Sequence, residues 1–239
     1  MPFRASGDNG PSVRRSPVPF LPKAPAGCRR SLIRILYLIT DLDPGGAEKS
    51  LLRLCRHLDQ DRFSVRVLAL AGGDLLRSFH REGIEARILM ERRSVRGGIG
   101  AVTRLAFHLL RFRPHILHTF LFHAGLLGRM AAFLCKIPRV VSSVRVMEPR
   151  RSHLWSDRLT HSFIDLEVCN SEAVRDYRRR VCGIPDGKLR VVYNGVDGER
   201  KEAPVASDGQ DGGAAPTVLT LSRLDRQKGI EDLLWAFRE

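Results

Sequence analysis

The sequence is poor in cysteine and has no long apolar run. Its five cysteines are an odd number and form no C-x-x-C pair, which indicates neither a disulfide framework nor a zinc knuckle. The longest stretch without a formal charge, residues 114–128, is shorter than the ~20 residues that span a bilayer. The N-terminal segment lacks the apolar core of a signal peptide. We therefore expect a cytoplasmic protein without a transmembrane helix.

Acidic residues are also scarce. The 239 residues hold 26 Asp and Glu against 40 Lys and Arg, a formal net charge of +14, which favours anionic partners such as nucleotides, anionic lipid surfaces or nucleic acid. Apolar residues make up 43% of the chain, enough for a globular core. A nucleic-acid module would gather cations and aromatics on one surface, whereas these cations lie in the N-terminal tail and along several predicted helices. We therefore expect no nucleic-acid partner.

The order of apolar segments predicts an α/β fold. Residues 1–30 are basic and rich in Pro and Ser, and we expect a disordered tail. Between residues 31 and 197, short Ile-, Leu- and Val-rich segments alternate with helical patterns, which predicts a Rossmann-like, doubly wound parallel sheet. Residues 198–216 have linker composition, and residues 217–239 are typical of the first βα unit of a second, truncated domain. The predicted strands lie near residues 32–40, 64–70, 86–90, 115–120, 139–144, 164–170 and 188–197, and the predicted helices near 47–58, 73–83, 99–112, 123–135 and 171–183.

The loop TDLDPGGAEKS follows the first predicted strand. Gly45 and Gly46 stand where the first helix begins, and glycines there let an anion or a sugar hydroxyl approach the backbone N–H groups. A tight turn without a ligand is the alternative. Asp41 and Asp43 resemble a carboxylate pair that holds a metal and a nucleotide sugar, but an ordinary loop with an Asp capping the helix is the favoured interpretation.

A second group of cations follows the linker. In the segment SRLDRQKG, Arg223 and Lys228 stand between a predicted strand end and a glycine that opens a helix. Two cations at the positive end of a helix suit a diphosphate, because each neutralises phosphate oxygens. The pattern therefore indicates a diphosphate clamp, with a solvated turn as the alternative.

Taken in order, the GGAE loop, the YNGVD turn, the linker and the SRLDRQKG segment resemble the family-4 glycosyltransferases of the GT-B fold. The resemblance covers residues 32–239. It implies two facing Rossmann-like domains, of which the first binds the acceptor and the second a nucleoside-diphosphate sugar. It also implies transfer with retention of the anomeric configuration, without a bound metal or other cofactor.

The resemblance assigns roles to matching residues of this sequence. It implies that Gly45 and Gly46 line the cleft beside the donor phosphates and the acceptor. It implies that Arg223 and Lys228 hold the donor diphosphate and stabilise the charge that grows on the leaving group. Asn194 would belong to the hinge turn between the domains.

Two departures from the family pattern matter for the site. Many members carry a histidine after the strand that reads RVVSSV in this chain, and Arg145 stands there instead, which is consistent with an anionic acceptor. Arg145, His118 and His123 are therefore the candidate catalytic residues, and a hydrogen-bonded structural role is the alternative for each histidine. The family's acidic E-x7-E motif, which grips the donor sugar, does not occur in the second-domain segment 217–239. We expect the 239 residues alone to be inactive.

Two functions stay open at this point. One is part of a glycosyltransferase that moves a sugar to a cell-surface glycan or lipid-linked acceptor in cell-envelope polysaccharide synthesis. The other is a non-catalytic acceptor-binding or partner subunit of a split enzyme. The basic and aromatic stretch 145–155 either contacts an anionic membrane surface, which would make the protein peripheral on the inner face of the cytoplasmic membrane, or is a solvated face.

Overall fold

The computed structural model describes residues 32–90, 95–147, 150–195, 219–222 and 228–238. The chain divides into two units, Met1–Val196 and Asp197–Glu239. The predicted tail and the predicted linker both lie outside the described residues.

The first unit is a parallel sheet covered by helices on both faces. Its seven strands follow the order β3-β2-β1-β4-β5-β6-β7, and every neighbouring pair is parallel. The predicted α/β, Rossmann-like fold class is therefore confirmed. The strands are β1 (Ile33–Ile39), β2 (Phe63–Ala69), β3 (Glu85–Ile88), β4 (Ile116–Phe120), β5 (Arg139–Val144), β6 (Leu166–Cys169) and β7 (Leu189–Val191). The helices are α1 (Gly46–Arg56), α2 (Leu76–Arg81), α3 (Val95–Phe112), α4 (Phe122–Leu134), α5 (Arg151–Thr160) and α6 (Glu172–Cys182), with short 3-10 helices at His161–Phe163 and Asp186–Lys188.

Strand β1 shows why the sequence folds in this way. Side chains alternate along a strand, and β1 sends Tyr37 and Ile39 into the core beneath α1 and α2. Leu36 and Leu38 point the other way, into a core shared with α3 and α4. Because both faces of the strand are buried, its sequence is an almost continuous apolar run.

Helix α4 packs closely on the sheet through small residues. Its buried apolar positions are glycines and alanines, and a Cβ atom on Gly128 would lie 2.5 Å from the Cγ2 atom of Thr119 on β4. Of the larger apolar residues of α4, Leu127 packs against the core, whereas Phe133 and Leu134 lie on the outer side and are 63% and 70% exposed. The close approach of this helix therefore depends on small side chains at its inner face.

Several predicted boundaries were wrong in detail. Helix α3 begins at Val95 rather than near residue 99. Its apolar stripe packs on the sheet, and this packing outweighs the ~1 kcal/mol that each glycine costs relative to alanine. Helix α2 is limited to Leu76–Arg81. Strand β7 ends at Val191, because the chain then leaves the sheet, and Tyr193 is exposed. On helix α1, Glu48 is buried, whereas Leu54 is 38% exposed.

The second unit is described only in part. Residues 219–222 are not in a strand, contrary to the predicted βα unit, and the described residues of this unit contain no strand that could pair with them. The predicted helix is present as α7 (Ile230–Ala236). Among the described helices of both units, none has the length and apolar character needed to cross a membrane.

A buried network of charges joins three helices to the sheet. Arg178 of α6 donates to both carboxylate oxygens of Glu167 on β6, at 2.6 and 2.9 Å, and to Oδ2 of Asp157 on α5 at 2.5 Å. Arg129 of α4 donates to Oδ1 of the same Asp157 at 2.6 Å. Burial raises the pKa of Asp157, but the two guanidinium groups outweigh this effect and hold the pKa below the usual range of an aspartate.

Loss of the central carboxylate should destabilise the first unit strongly. We expect Asp157→Asn to lower the free energy of unfolding by about 3–5 kcal/mol, because two buried guanidinium groups lose their shared counter-charge. The measurement is urea unfolding at pH 7. The matched control is Glu82→Gln, which removes a carboxylate from an exposed pair with Arg56 and should cost under ~1 kcal/mol. Equal effects of the two substitutions would contradict this account.

Candidate functional site

The site is expected at the carboxyl edge of the sheet. In doubly wound sheets, ligands bind where the chain leaves neighbouring strands in opposite directions, and here that point lies between β1 and β4. Thr40 after β1 contacts the start of α4, since its hydroxyl accepts from the N–H of Ala124 at 3.4 Å. Leu121, between β4 and α4, has a φ of 70°, a strained conformation for leucine. Strain of this kind is often found at functional sites.

Gly45 and Gly46 open helix α1 at this edge, in different ways. Gly45 is the N-cap residue, and a Cβ atom on it would lie 2.2 Å from the Oε2 atom of Glu48. Gly45 therefore makes room for a carboxylate that lies against the start of the helix. A Cβ atom on Gly46 would meet nothing within 4 Å, so the space beside Gly46 is open.

The prediction that an aspartate caps α1 was wrong, because Gly45 takes the N-cap position and no side chain bonds there. Asp41 instead accepts from the N–H of Asp43 at 3.3 Å, within the loop itself. Among the described residues, no group of three or more His, Cys, Asp and Glu side chains is arranged around a metal position.

Glu48 is the residue that sequence analysis missed. It is 6% exposed, and burial raises the pKa of its carboxyl group. The charges of Asp41 and Asp43 raise that pKa further, while Arg145 lowers it. The sequence spacing could have indicated this burial. Glu48 precedes Leu51 and Cys55 by three and seven residues, which places its carboxylate on the same face of the helix as these two core residues.

Arg145 directly follows β5 at the carboxyl edge of the sheet. Its guanidinium group donates to Oδ1 of Asn194, and its Cζ atom is 5.3 Å from the centre of the Phe120 ring. Its carbonyl oxygen accepts from Nδ2 of Asn170 at 3.2 Å. Burial lowers the pKa of Arg145, and the nearby Glu48 carboxylate raises it. The structure thus brings Arg145 and Asn194 together, as two of the predicted site residues.

The turn that contains Asn194 is held against the rest of the first unit. In addition to the Arg145 contact, Arg53 of α1 donates to the carbonyl oxygen of Gly195 at 2.8 Å. The hinge role of Asn194 stays a prediction.

His118 lies on β4 beneath this edge, on the α1 side of the sheet. Its Nε2 atom is 2.8 Å from the Ser143 hydroxyl, and its ring lies 4.7 Å from that of Phe120. Burial, with a smaller effect from the Arg145 charge, lowers the pKa of His118 to about 3. The imidazole is therefore neutral at physiological pH and acts as a hydrogen-bonding group rather than as a proton donor.

His123 belongs to a different group of aromatic residues. It lies in the first turn of α4, and its ring is 5.3 Å from Phe122 and 5.7 Å from His153 of α5. Phe122 and His153 are stacked, with ring centres 3.7 Å apart. The described contacts therefore connect His123 to α5, whereas those of His118 connect it to Phe120 and Arg145.

A cavity of about 50 Å³ separates the edge from the buried charge network. Arg145 and the ends of β4 and β5 form one wall, and the network forms the other. The lining residues are Leu121, Phe122, Arg129, Ser142, Ser143, Val144, Arg145, Val146, Asp157 and Arg178.

The predicted diphosphate clamp belongs to the second unit. Arg223 lies outside the described residues. Lys228 is exposed and precedes Gly229, whose φ of 62° marks the start of α7. The clamp therefore stays a prediction.

Solved structures with this fold include enzymes of two kinds. Anabaena Alr3699/HepE in complex with UDP has 22% sequence identity and a TM-score of 0.59, over 69% of this chain and 44% of that one. The lipopolysaccharide outer core galactosyltransferase WaaB has 16% identity and a TM-score of 0.59, over 84% and 57%. UDP-GlcNAc 2-epimerase from Neisseria meningitidis has 16% identity and a TM-score of 0.52, over 67% and 46%. The chain thus spans about half the length of these structures.

No curated protein matches the chain. The sequence profile described as Glycosyltransferase Family 4 matches residues 44–200, which is more than half of the 239 residues. That range contains the GGAE loop, Arg145 and Asn194. The family predicted from the ordered motifs is therefore confirmed, and the chain belongs to glycosyltransferase family 4.

Proposed function

We propose that this chain is the acceptor-binding part of a retaining glycosyltransferase, which transfers a sugar from a nucleoside-diphosphate sugar to an anionic acceptor. The observation that carries the proposal is the position of Arg145, a cation held by Asn194 and Phe120 at the carboxyl edge of a family 4 domain. The acceptor class is a cell-surface glycan or a lipid-linked sugar, in cell-envelope polysaccharide synthesis at the inner face of the cytoplasmic membrane.

A nucleotide-sugar donor is supported by the relatives in fold. HepE was solved with UDP and with UDP-glucose, and WaaB is a galactosyltransferase. We assign donor binding to the second unit, where Arg223 and Lys228 neutralise the diphosphate as it leaves. No metal or cofactor is part of the proposal.

In this reaction, the acceptor hydroxyl oxygen forms a bond to the anomeric carbon of the donor sugar. The bond between that carbon and the diphosphate oxygen breaks, and the hydroxyl proton leaves with the nucleoside diphosphate. Arg145 binds the acceptor's anionic group and so holds the hydroxyl in reach of the donor. The open space beside Gly46 lies at the same edge and leaves room for the sugar.

The two histidines receive different roles. His118 is a positioning residue: its bond to Ser143 and its contact with Phe120 fix the ring on which the Arg145 guanidinium lies. His123, at the start of α4, is proposed to contact the acceptor from the α5 side of the carboxyl edge.

Replacement of Arg145 should weaken use of the anionic acceptor. We expect Arg145→Gln to lower kcat/KM for the acceptor about 10- to 100-fold, the loss expected from one charge-assisted hydrogen bond. The assay follows labelled sugar from UDP-glucose or UDP-galactose into isolated membranes, with this chain joined to a complete donor domain. Arg81→Gln is the matched control, since it removes an exposed arginine at the end of α2. Equal activity of Arg145→Gln and the control would refute the assignment.

The same assay separates an enzyme from a binding subunit. We expect the 239 residues alone to transfer no sugar, and transfer to occur when a donor domain is supplied in the same or a second polypeptide. If no donor sugar is transferred or hydrolysed in any combination, while an anionic acceptor still binds to the chain, the protein is a non-catalytic acceptor-binding subunit.

The neutral state of His118 makes a pH-dependent contribution to stability. Its folded pKa of about 3 lies below the ~6.5 of an unfolded histidine, so the unfolded state binds the proton first. The stabilisation from neutral His118 is therefore full above pH ~6.5 and is lost as the pH falls towards 3. We expect His118→Gln to reduce the slope of the free energy of unfolding against pH, measured between pH 6 and 4, by up to ~1.4 kcal/mol per pH unit. An NMR titration showing a charged His118 ring at pH 5 would contradict the expectation.

A further inference from the structure

Helix α4 exposes large apolar residues that an ordinary amphipathic helix would bury. Glycines and alanines fill most of its inner side, beside the buried Arg129 and the partly buried Leu127, and the outer side exposes Met130, Phe133 and Leu134, which are 53–70% accessible. An amphipathic surface helix normally places its large apolar residues towards the core. The outer side of α4 therefore has the composition of a contact surface.

The neighbouring elements continue this apolar surface. Trp155, Leu159 and Phe163 follow each other at four-residue intervals along α5 and the 3-10 helix His161–Phe163, and all three are exposed. The Phe163 ring lies 4.9 Å from that of Phe133, which joins this stripe to α4. We name the surface the outer helical face. It also includes α3, so that its exposed apolar residues are Phe107, Leu110, Met130, Phe133, Leu134, Trp155, Leu159 and Phe163.

The opposite side of the sheet lacks such a surface. Among the described large apolar residues of α1 and α2, only Leu54 is exposed, at 38%. Of the fourteen exposed large apolar residues described in the first unit, eight thus lie on α3, α4, α5 and the 3-10 helix after α5, which is the pattern of an interaction site.

The charge of the outer helical face is of one sign. Residues 95–147 and 150–164 contain a single carboxylate, Asp157, and this group is buried between Arg129 and Arg178. The same segments expose the cations Arg104, Arg111, Lys136, Arg151 and Arg158. A face of aromatic and aliphatic groups with cations and without exposed carboxylates complements an anionic lipid bilayer, where apolar groups enter the headgroup boundary and cations bind the lipid phosphates.

We propose that the outer helical face docks on an anionic lipid bilayer. The inference deepens the proposed function, because it gives the place at which the protein would contact the membrane of a lipid-linked acceptor. It also relocates the predicted contact: of the stretch 145–155, Trp155 and Arg151 belong to the face, whereas α3 and α4 supply most of its apolar groups.

The test is sedimentation of the full chain with vesicles, in the absence of any sugar donor. We expect binding to vesicles of equal phosphatidylglycerol and phosphatidylcholine, and little binding to phosphatidylcholine alone or at high salt. Lys136→Gln and Arg158→Gln should each weaken binding roughly fivefold. Phe133→Ser and Trp155→Ser should each weaken binding roughly tenfold.

Matched controls lie on the other side of the sheet. Arg81→Gln on α2 and Leu54→Ser on α1 remove a charge and an apolar group from exposed positions outside the face. We expect neither to change binding. Equal losses for these controls and for the face variants would overturn the proposal, because binding would then not depend on the outer helical face.

The fluorescence of Trp155 gives a second and direct measure of whether the outer helical face contacts lipid. In a Trp235→Phe background, Trp155 is the sole tryptophan, since the sequence has two. Its emission should shift to shorter wavelength with anionic vesicles and be quenched by brominated lipid. Unchanged emission would overturn the proposal even if the chain sediments with vesicles.

The remaining outcomes separate the inference from the function on which it rests. A stable dimer that is broken by Phe133→Ser and does not bind vesicles would assign the face to a second copy and overturn the proposal. Vesicle binding without sugar transfer in any donor combination would support the face while refuting the enzyme. Transfer without vesicle binding would refute only the face.

Discussion

Coverage of both faces of the parallel sheet is the constraint on which this structure depends. A strand such as β1 sends apolar side chains to both sides, so helices must cover each face before the sheet is stable in water. Parallel connections also return every chain segment to the same end of the sheet, which brings all the carboxyl ends to one edge. The position of Arg145 beside the GGAE loop and the Asn194 turn is thus a consequence of strand direction, although more than forty residues separate these segments in sequence.

Much of the fold was predictable because apolar periodicity reports burial. The seven strands of the first unit were all expected, and only their ends differ. The errors arose where tertiary contacts override local preference. Helix α3 continues through glycines because its apolar stripe packs on the sheet, and strand β7 ends at Val191 because the chain leaves the sheet there. Ordered motifs identified the family and pointed to Arg145 and Asn194.

The chemistry of individual site residues was less predictable. The pKa of a histidine cannot be read from the sequence. The pKa of His118 is lowered by its burial and by the charge of Arg145, which follows another strand. Glu48 was overlooked because a glutamate early in a helix is common, and only the fold shows that it is enclosed. The spread of cations along the sequence also concealed that three consecutive helices place theirs on one side of the sheet.

The cavity behind Arg145 is lined both by this candidate site residue and by the buried charge network. Arg129, Asp157 and Arg178 stabilise the packing of three helices and at the same time line the space that Arg145 borders. Under the proposed function, selection for a new acceptor and selection for stability would therefore act on the same few side chains. Specificity would then change through coordinated substitutions, and homologues with different acceptors should differ together at Ser142, Arg129 and Arg145 rather than at any one of them.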